Sequence, residues 1–555
     1  MSSPAHTATP EPINVAAWLP RVAADDPKAL AVAVADGRGG WLRISRGELD
    51  QLTDRAAHGL SSLGIGHGTR CVLMVTPGPA FFALTFALFK LGAVPVMVDP
   101  GMGIKNLGQC LAEAQPEAFI GVTKAHVARV LFGWGRPTLR TLVTVGPRLL
   151  WGGHRYQALV NAAPGTPFPL APTTADQTAA ILFTSGSTGV PKGAVYTHGI
   201  FSSQVRLLRQ MYGIEPGEVD LSTFPLFALF GPALGMASVV PEMDASRPAK
   251  ADPRKLVDAI ETFRCTNVFA NPALVDKLGR YAEAHPGGFS SVRRVLSAGA
   301  PASVPALRRL ADHLPDGAEI HTPYGATESL PVATVGSAFI LSESAARTEA
   351  GAGVCVGFPV DEMEVRIIGI TDDPIATWSE ALCLAPGEVG EIVVKGPVVT
   401  GAYFNRDAST ALAKIREPDT GAVRHRMGDL GYLDADGRLW MCGRKSHRVQ
   451  TTPRPLFTIP CEAVFNTHPD VFRTALVGIE RAGQVVPVLF VEPEASARRR
   501  DRGALERELR ELGQRFEHTR TIDRFLFSNG FPVDVRHNAK IFREKLAVLA
   551  DKELP

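Results

Sequence analysis

The residues with the strongest chemical character lie in one short stretch. After the apolar run Ala179–Phe183 come Thr184, Ser185, Gly186, Ser187, Thr188, Gly189, Val190, Pro191, Lys192 and Gly193. Four hydroxyls, three glycines and one lysine fall within these ten residues. Glycine lets backbone N–H groups approach an anion closely. The hydroxyls add donors and Lys192 adds positive charge, so the stretch has the chemistry of a polyphosphate cradle. It is not a Walker A loop, which needs GxxxxGK[ST] with Gly and Lys adjacent. Here Val190 and Pro191 separate Gly189 from Lys192. Ser/Gly clusters are more often flexible linkers. This one directly follows a buried-strand pattern and closes on a Pro-Lys-Gly turn.

Three later stretches carry complementary chemistry. SAGAPA (297–302) precedes HTPYGATES (321–329), which places an aromatic face, a hydroxyl and a carboxylate close together at Tyr324, Thr327 and Glu328. These suit a purine, a phosphate oxygen and a hard cation respectively. GDLGYLDADGRLWMCGR (428–444) offers Asp429 and Arg444, and FPVDVRHNAKIFREKL (531–546) offers Lys540. Taken singly, each has a plain reading as a turn, a turn aspartate or a solvated lysine.

In this order, TSGSTGVPKG and its three partners resemble the signatures of the adenylate-forming superfamily. That superfamily includes acyl-CoA synthetases, luciferases and peptide-synthetase adenylation domains. The resemblance runs from about residue 40 to residue 546, and four ordered motifs are specific together. It implies that Thr184, Ser185, Gly186, Ser187, Thr188, Gly189 and Lys192 hold the phosphates of ATP. By the same resemblance Gly299, Ala300 and Pro301 line adenine, Tyr324 stacks on it and Gly325 belongs to the same site. Thr327 meets the α-phosphate, Glu328 holds Mg²⁺, Asp429 accepts from the ribose with Arg444 nearby, and Lys540 is the catalytic lysine. The cofactors implied are ATP and Mg²⁺. The chemistry implied is attack of a carboxylate on the α-phosphorus, giving acyl-AMP and pyrophosphate, with Lys192, Thr327, Glu328 and Lys540 offsetting the repulsion between two anions. In such proteins a small C-terminal domain rotates between half-reactions, and here the hinge falls near Ser446.

Two departures bear on the second step. GRKSHRVQTTPRPLFTIPCE (443–462) carries Pro453, Pro455 and Pro460, which remove donors and stiffen φ where thioester-forming relatives guide a thiol. FPLFALFGPALGM (224–236) has Phe227, Ala228 and Leu229 where many relatives have a histidine segment. Phe227, Ala228, Phe230 and Gly231 suit a long alkyl chain, although plain core packing would use the same residues. With the VRHNAKI ending, these segments look like the β-lactone synthetases of bacterial long-chain olefin and β-lactone pathways. That resemblance implies a 2-alkyl-3-hydroxy fatty acid whose own 3-hydroxyl displaces AMP, without CoA. The alternatives are a long-chain acyl-CoA or acyl-carrier-protein ligase and a nucleotide-binding regulator without catalysis. No base for the hydroxyl proton is identifiable. His198, His425, His447 and His537 are candidates by position, and His537 would travel with Lys540. A complex with other enzymes of the same lipid pathway is a further implication.

The elements that must position these residues follow from the apolar pattern. Short runs at 71–75, 94–100, 118–122, 141–145 and 179–184 read as buried strands. They alternate with helical stretches over 44–63 and 80–91, which argues α/β with largely parallel sheets. Runs at 364–368, 390–396 and 437–443, with Gly and Asp turns between them, predict a β-rich subdomain. The stretch 390–410 also resembles the family's linking segment. After about Arg444 the pattern is mixed, with strands at 475–479 and 485–493 and a solvated helix over 495–516. The expected fold class is therefore α/β, with a large N-terminal domain of stacked α/β sheets plus the β-rich subdomain (1–443). A small mobile α+β C-terminal domain (444–555) carries Lys540.

The chain has 555 residues, 58 Lys and Arg against 56 Asp and Glu, and 45% hydrophobic residues. The apolar content excludes a disordered chain. The charge balance shows neither a nucleic-acid footprint nor a polybasic membrane anchor. Seven cysteines without a CxxC pair point to reduced thiols in a cytoplasmic protein rather than to disulfides or zinc. The first ten residues read as a frayed arm without a secretory signal, and no segment makes a convincing membrane helix.

Overall fold

The computed structural model describes residues 13–184, 191–224, 229–533 and 541–554. The expected frayed arm therefore lies outside the described residues. The chain forms two compact units, Met1–Glu242 with Pro397–Thr410, and Met243–Gly396 with Ala411–Pro555.

The first unit is built on a seven-stranded sheet. Its order is His154–Arg155, Thr141–Val145, Ala118–Val122, Arg70–Met74, Val94–Val98, Thr178–Thr184 and Lys192–Thr197. All neighbours are parallel except the last pair, which is a hairpin. Leu30–Ala35, Trp41–Ser45, Val219–Ser222 and Ala237–Val240 form a second sheet region. The helix Arg46–Ser61 starts at a capping box in which Ser45 and Glu48 satisfy each other's backbone N–H. The helix Pro79–Lys90 is apolar around its whole circumference and is buried from Phe81 to Lys90. A helix without a polar face must lie inside the core. Its one charge, Lys90, is paired with Asp50 at 2.8 Å and Asp54 at 2.5 Å, as a buried ammonium requires. One core joins this helix to Ala31 and Val32 of the second region and to Cys71 and Ile120 of the first sheet.

In the second unit Asn267–Phe269, Arg294–Leu296 and Glu319–His321 are parallel neighbours. An antiparallel sheet follows, ordered Tyr324–Ala326, Ser329–Thr334, Val354–Pro359, Leu439–Arg444, Val423–Leu433, Gly390–Lys395 and Glu364–Ile368. Lys414–Arg416 also pairs with Val423–Leu433. This is the β-rich part expected from the sequence.

After Arg444 the chain builds a small α+β domain on the hairpin Val471–Arg481 and Gln484–Pro493, with Phe525–Phe527 added in parallel. Strand alternation sends Leu476, Leu489 and Val491 to one face, where they meet Cys461, Phe465, Leu505 and Leu509. Ala475, Val477, Val488 and Phe490 go to the other face and meet Leu546 and Ala550. Both faces are covered, which explains why these strands are apolar almost throughout. The solvated helix is shorter than its charged run suggests. It spans Arg502–Gln514, with Asp501 accepting from Gly503 and Ala504 N–H. Ahead of it Arg500 pairs with Asp470 and Glu508. The molecule is thus mixed α/β, with a large N-terminal domain and a small C-terminal one. Among the described residues no helix is long and apolar enough to cross a membrane, and all seven cysteines are free.

Candidate active site

The loop Ser185, Gly186, Ser187, Thr188 and Gly189 lies outside the described residues, but its two stems are placed. Thr178–Thr184 and Lys192–Thr197 pair so that Thr184 stands opposite Lys192, which closes the loop at its base. Gly193 is needed there, because a Cβ would come within 2.8 Å of Ile181 Cγ2. Lys192 Nζ sits 5.0 Å from the centre of the Tyr403 ring, a cation–π distance. Tyr403 belongs to the segment 397–410, which pairs against the Lys192 strand through Phe404 N–H to Gly193 O (2.8 Å) and Val195 N–H to Ala402 O (3.2 Å).

The second group of candidates gathers where parallel strands end. Arg294–Leu296 and Glu319–His321 run side by side, and the loops after them carry Gly299–Pro301 and Tyr324. Crevices beyond the carboxyl ends of parallel strands are the usual ligand sites of α/β sheets. Gly299 has φ +98°, the left-handed region that favours glycine. At Gly325 a Cβ would approach Ser329 O to 2.7 Å. Tyr324 is buried and donates its hydroxyl to Asp429 Oδ2 at 2.7 Å. Asp429 is opposite Arg444 in the strand register, and Arg444 Nε lies 3.0 Å from Asp429 Oδ1. Burial raises the Asp429 carboxyl above the usual range, with Arg444 and the Tyr324 hydroxyl working against the shift. Asp429 Oδ1 has no aligned hydrogen-bond donor among the described residues.

Thr327 and Glu328 are half-buried in the turn between Tyr324–Ala326 and Ser329–Thr334. Glu328 feels the charge of Lys414, which lies in the strand Lys414–Arg416 and is 6% exposed. Burial pushes the Lys414 ammonium down to about 7, and the Glu328 carboxylate opposes the shift. The described residues contain no cluster of three or more His, Cys, Asp or Glu that could hold a metal ion.

Residues 19–404 match the AMP-binding enzyme family. The chain belongs to that family. As an AMP-binding enzyme it is an AMP-forming ligase. It is 51% identical over 549 residues to an olefin β-lactone synthetase of Xanthomonas campestris pv. campestris, covering 97% of this chain and 98% of the relative. It is 52% identical over 554 residues to an olefin β-lactone synthetase of Stenotrophomonas maltophilia, covering 98% and 99%. Among solved structures, o-succinylbenzoate coenzyme A synthetase (MenE) of Bacillus subtilis, in complex with ATP and magnesium ion, shares the fold. Its TM-score is 0.75 at 21% identity, over 97% of this chain and 100% of that one.

Other candidates in this AMP-binding enzyme are placed as follows. Phe230 and Gly231 open the helix Phe230–Leu234, whereas Phe227 and Ala228 lie outside the described residues. Phe230 packs 6.4 Å from Phe201, which also meets Phe89 and Tyr196. Gly231 permits this helix to sit against Ser238, whose Oγ would be 2.1 Å from a Cβ. His198 is fully buried and its Nδ1 accepts from Val15 N–H at 3.2 Å. Burial, then the charge of His67, pushes its pKa down to about 4. Those contacts make it a structural imidazole. His425 is buried with Nδ1 3.2 Å from Ala413 O. His447 lies in the short turn Lys445–His447, and His537 and Lys540 are outside the described residues.

Ser446 is exposed in that same turn. Its neighbours are tied down. Lys445 Nζ donates to Thr371 O at 2.9 Å and reaches Glu391 at 3.2 Å, and Arg448 reaches Asp372 at 3.1 Å.

Sequence reasoning missed Lys414 and Tyr403. Tyr403 lies in a stretch recognisable only as a linking segment. Lys414 has no local signal, because its neighbour Glu328 is distant in sequence and is brought close by the sheet.

Proposed function

We propose that this enzyme is a β-lactone synthetase acting on a 2-alkyl-3-hydroxy fatty acid. The observation that carries this reading is the near-full-length similarity, at 51% and 52% identity, to two olefin β-lactone synthetases. The buried Tyr324–Asp429–Arg444 group, whose carboxylate is ion-paired to Arg444 and accepts from the Tyr324 hydroxyl, supports nucleotide binding in the second unit.

In the first step a carboxylate oxygen of the substrate bonds to the α-phosphorus of ATP and pyrophosphate leaves. Ser185–Gly189 and Lys192 hold the phosphates. Thr327 donates to the α-phosphate, Asp429 accepts from the ribose beside Arg444, and Gly299–Pro301 with Tyr324 flank adenine. Magnesium, when bound at Glu328, supplies positive charge that lessens the repulsion between the incoming carboxylate and the phosphates. Lys540, on a C-terminal domain beginning at about 444 and turning near Ser446, adds charge at the reacting oxygens.

In the second step the 3-hydroxyl oxygen bonds to the acyl carbon. The acyl–AMP bond breaks, the hydroxyl proton leaves to solvent or a base, and a four-membered lactone closes. Nucleophile and electrophile share one molecule, so no second substrate need be oriented. Phe227, Ala228, Phe230 and Gly231 line the alkyl chain.

The test is incubation with ATP, Mg²⁺ and a 2-alkyl-3-hydroxy acid without CoA. The expected products are a β-lactone, AMP and pyrophosphate. A reaction that stalls until CoA is added would replace this reading with an acyl-CoA ligase.

A further inference from the structure

The overall charge balance conceals a local asymmetry. No Asp or Glu occurs between Glu117 and Asp176. In the folded chain this stretch forms one edge of the seven-stranded sheet. It contains Ala118–Val122, the helix Thr123–Phe132, Thr141–Val145 and the edge strand His154–Arg155. Lys124, Arg136, Arg140, Arg148 and Arg155 are all exposed there. None of the five makes an ion pair among the described residues.

The same edge exposes large apolar side chains. On the helix Thr123–Phe132, Val130 is 54% exposed, Leu131 72% and Phe132 49%. In the loop 146–153, Leu149 is 54% exposed and Leu150 fully so. Helix and loop are held together. Thr123 Oγ1 donates to Pro147 O at 2.6 Å. Trp151 stacks on His126 at 5.3 Å with the rings 8° apart, and its Nε1 donates to Thr144 Oγ1 at 3.0 Å. The loop is therefore braced against the first turns of the helix, with Leu131 and Phe132 at the helix's other end. A water-facing surface gains nothing from a leucine presented in full. Two exposed apolar patches along one sheet edge mark an interaction surface.

We propose that this edge docks the enzyme on an anionic lipid bilayer. Leu131, Phe132, Leu149 and Leu150 enter the interfacial layer, and Lys124, Arg136, Arg140, Arg148 and Arg155 meet lipid phosphates. Charge complementarity selects this occupant. Apolar insertion flanked by cations, on a stretch that carries no carboxylate of its own, matches an anionic headgroup layer over hydrocarbon. A second copy of the chain would oppose the cations with the same cations. The surface stands independently of which acid is activated. For a lipid acid, docking would place the enzyme where such acids concentrate.

The test is flotation of the full-length enzyme with phosphatidylcholine vesicles and with vesicles that also contain phosphatidylglycerol. Two variants accompany it, Leu131→Asp/Leu150→Asp and Lys124→Glu/Arg148→Glu. The native enzyme is expected to float with the anionic vesicles, and less so as salt is raised. Each variant is expected to lose roughly tenfold or more of that partition. ATP–pyrophosphate exchange with a water-soluble acid and the melting temperature stay at native values. Absence of flotation, or flotation unchanged in both variants, overturns the proposal. So does a concentration-dependent self-association that the leucine variant abolishes, because the patch would then be a contact between copies. Binding to a protein partner in place of vesicles, lost in the same variants, overturns it as well.

Discussion

At the scale of single residues, the site depends on a few charges held out of water. Lys414 is buried within electrostatic reach of Glu328, and burial lowers its ammonium to about 7. Replacing it as Lys414→Met is expected to slow ATP–pyrophosphate exchange by about 10–100-fold, the range for residues that support a metal-binding group. It should also raise the Mg²⁺ concentration needed for half-maximal rate. An unchanged Mg²⁺ dependence would remove Lys414 from the site. His198 makes a different prediction. Its folded-state pKa of about 4 lies below the ordinary value of 6.5. Above 6.5 both folded and unfolded chains carry it neutral. Between 6.5 and 4 the unfolded chain takes up a proton that the buried ring refuses, so stability falls as pH falls through that window. The loss amounts to about 2 kcal/mol at about pH 5. His198→Gln keeps an acceptor for Val15 N–H and should flatten this part of the pH profile in urea unfolding. An equally steep profile in the variant would show that another group titrates.

At the scale of elements, the C-terminal helix is held by an anchor that neither strand nor helix pattern reveals. Arg543 opens the helix Arg543–Glu553, and its Nη2 lies 2.7 Å from both oxygens of Glu462. Glu462 lies in the helix Thr458–Phe465 and also accepts from Leu476 N–H at 2.8 Å. The pair therefore pins together two helices that cover opposite faces of the hairpin. Arg543→Met would leave a buried carboxylate without its cation, at a cost of about 3–5 kcal/mol. The expected outcome is an earlier first transition in urea and a fall in adenylation, because Lys540 lies just upstream of the loosened helix. Native behaviour in both measurements would mean that the ion pair does not hold this segment.

At the scale of the whole molecule, the proposed nucleotide-binding group and the proposed catalytic lysine can be tested apart. The Tyr324–Asp429–Arg444 group belongs to the second unit and is complete among described residues. ATP at about 100 times its Kd should stabilise the enzyme by about 2.7 kcal/mol. Lys540→Ala should keep that stabilisation in a thermal shift measurement while adenylation falls by about 10²–10³-fold. Asp429→Ala should lose the stabilisation itself. If Lys540→Ala turns over at the native rate, the assignment of the catalytic lysine fails.

The sequence by itself determined the elements and the kind of chemistry. Ala118–Val122 was legible because a strand buried on both faces reads as a near-continuous apolar run, and Glu364–Ile368 because charged Glu364 and Arg366 alternate with buried Val365 and Ile367. The expectation of a phosphate site at the glycines, hydroxyls and Lys192 needed no tertiary information, because all of them stand on one short stretch. Tertiary structure alone decided what depends on partners remote in sequence. Sheet register sets Asp429 opposite Arg444, pairing of the segment 397–410 with the Lys192 strand brings Tyr403 to Lys192, and the fold buries Lys414 within electrostatic reach of Glu328. The acid-free stretch could be read from the chain, but only the fold shows its cations and leucines on one exposed edge. Local spacing encodes periodicity, whereas electrostatic partnership and exposure are set by which distant segments end up adjacent.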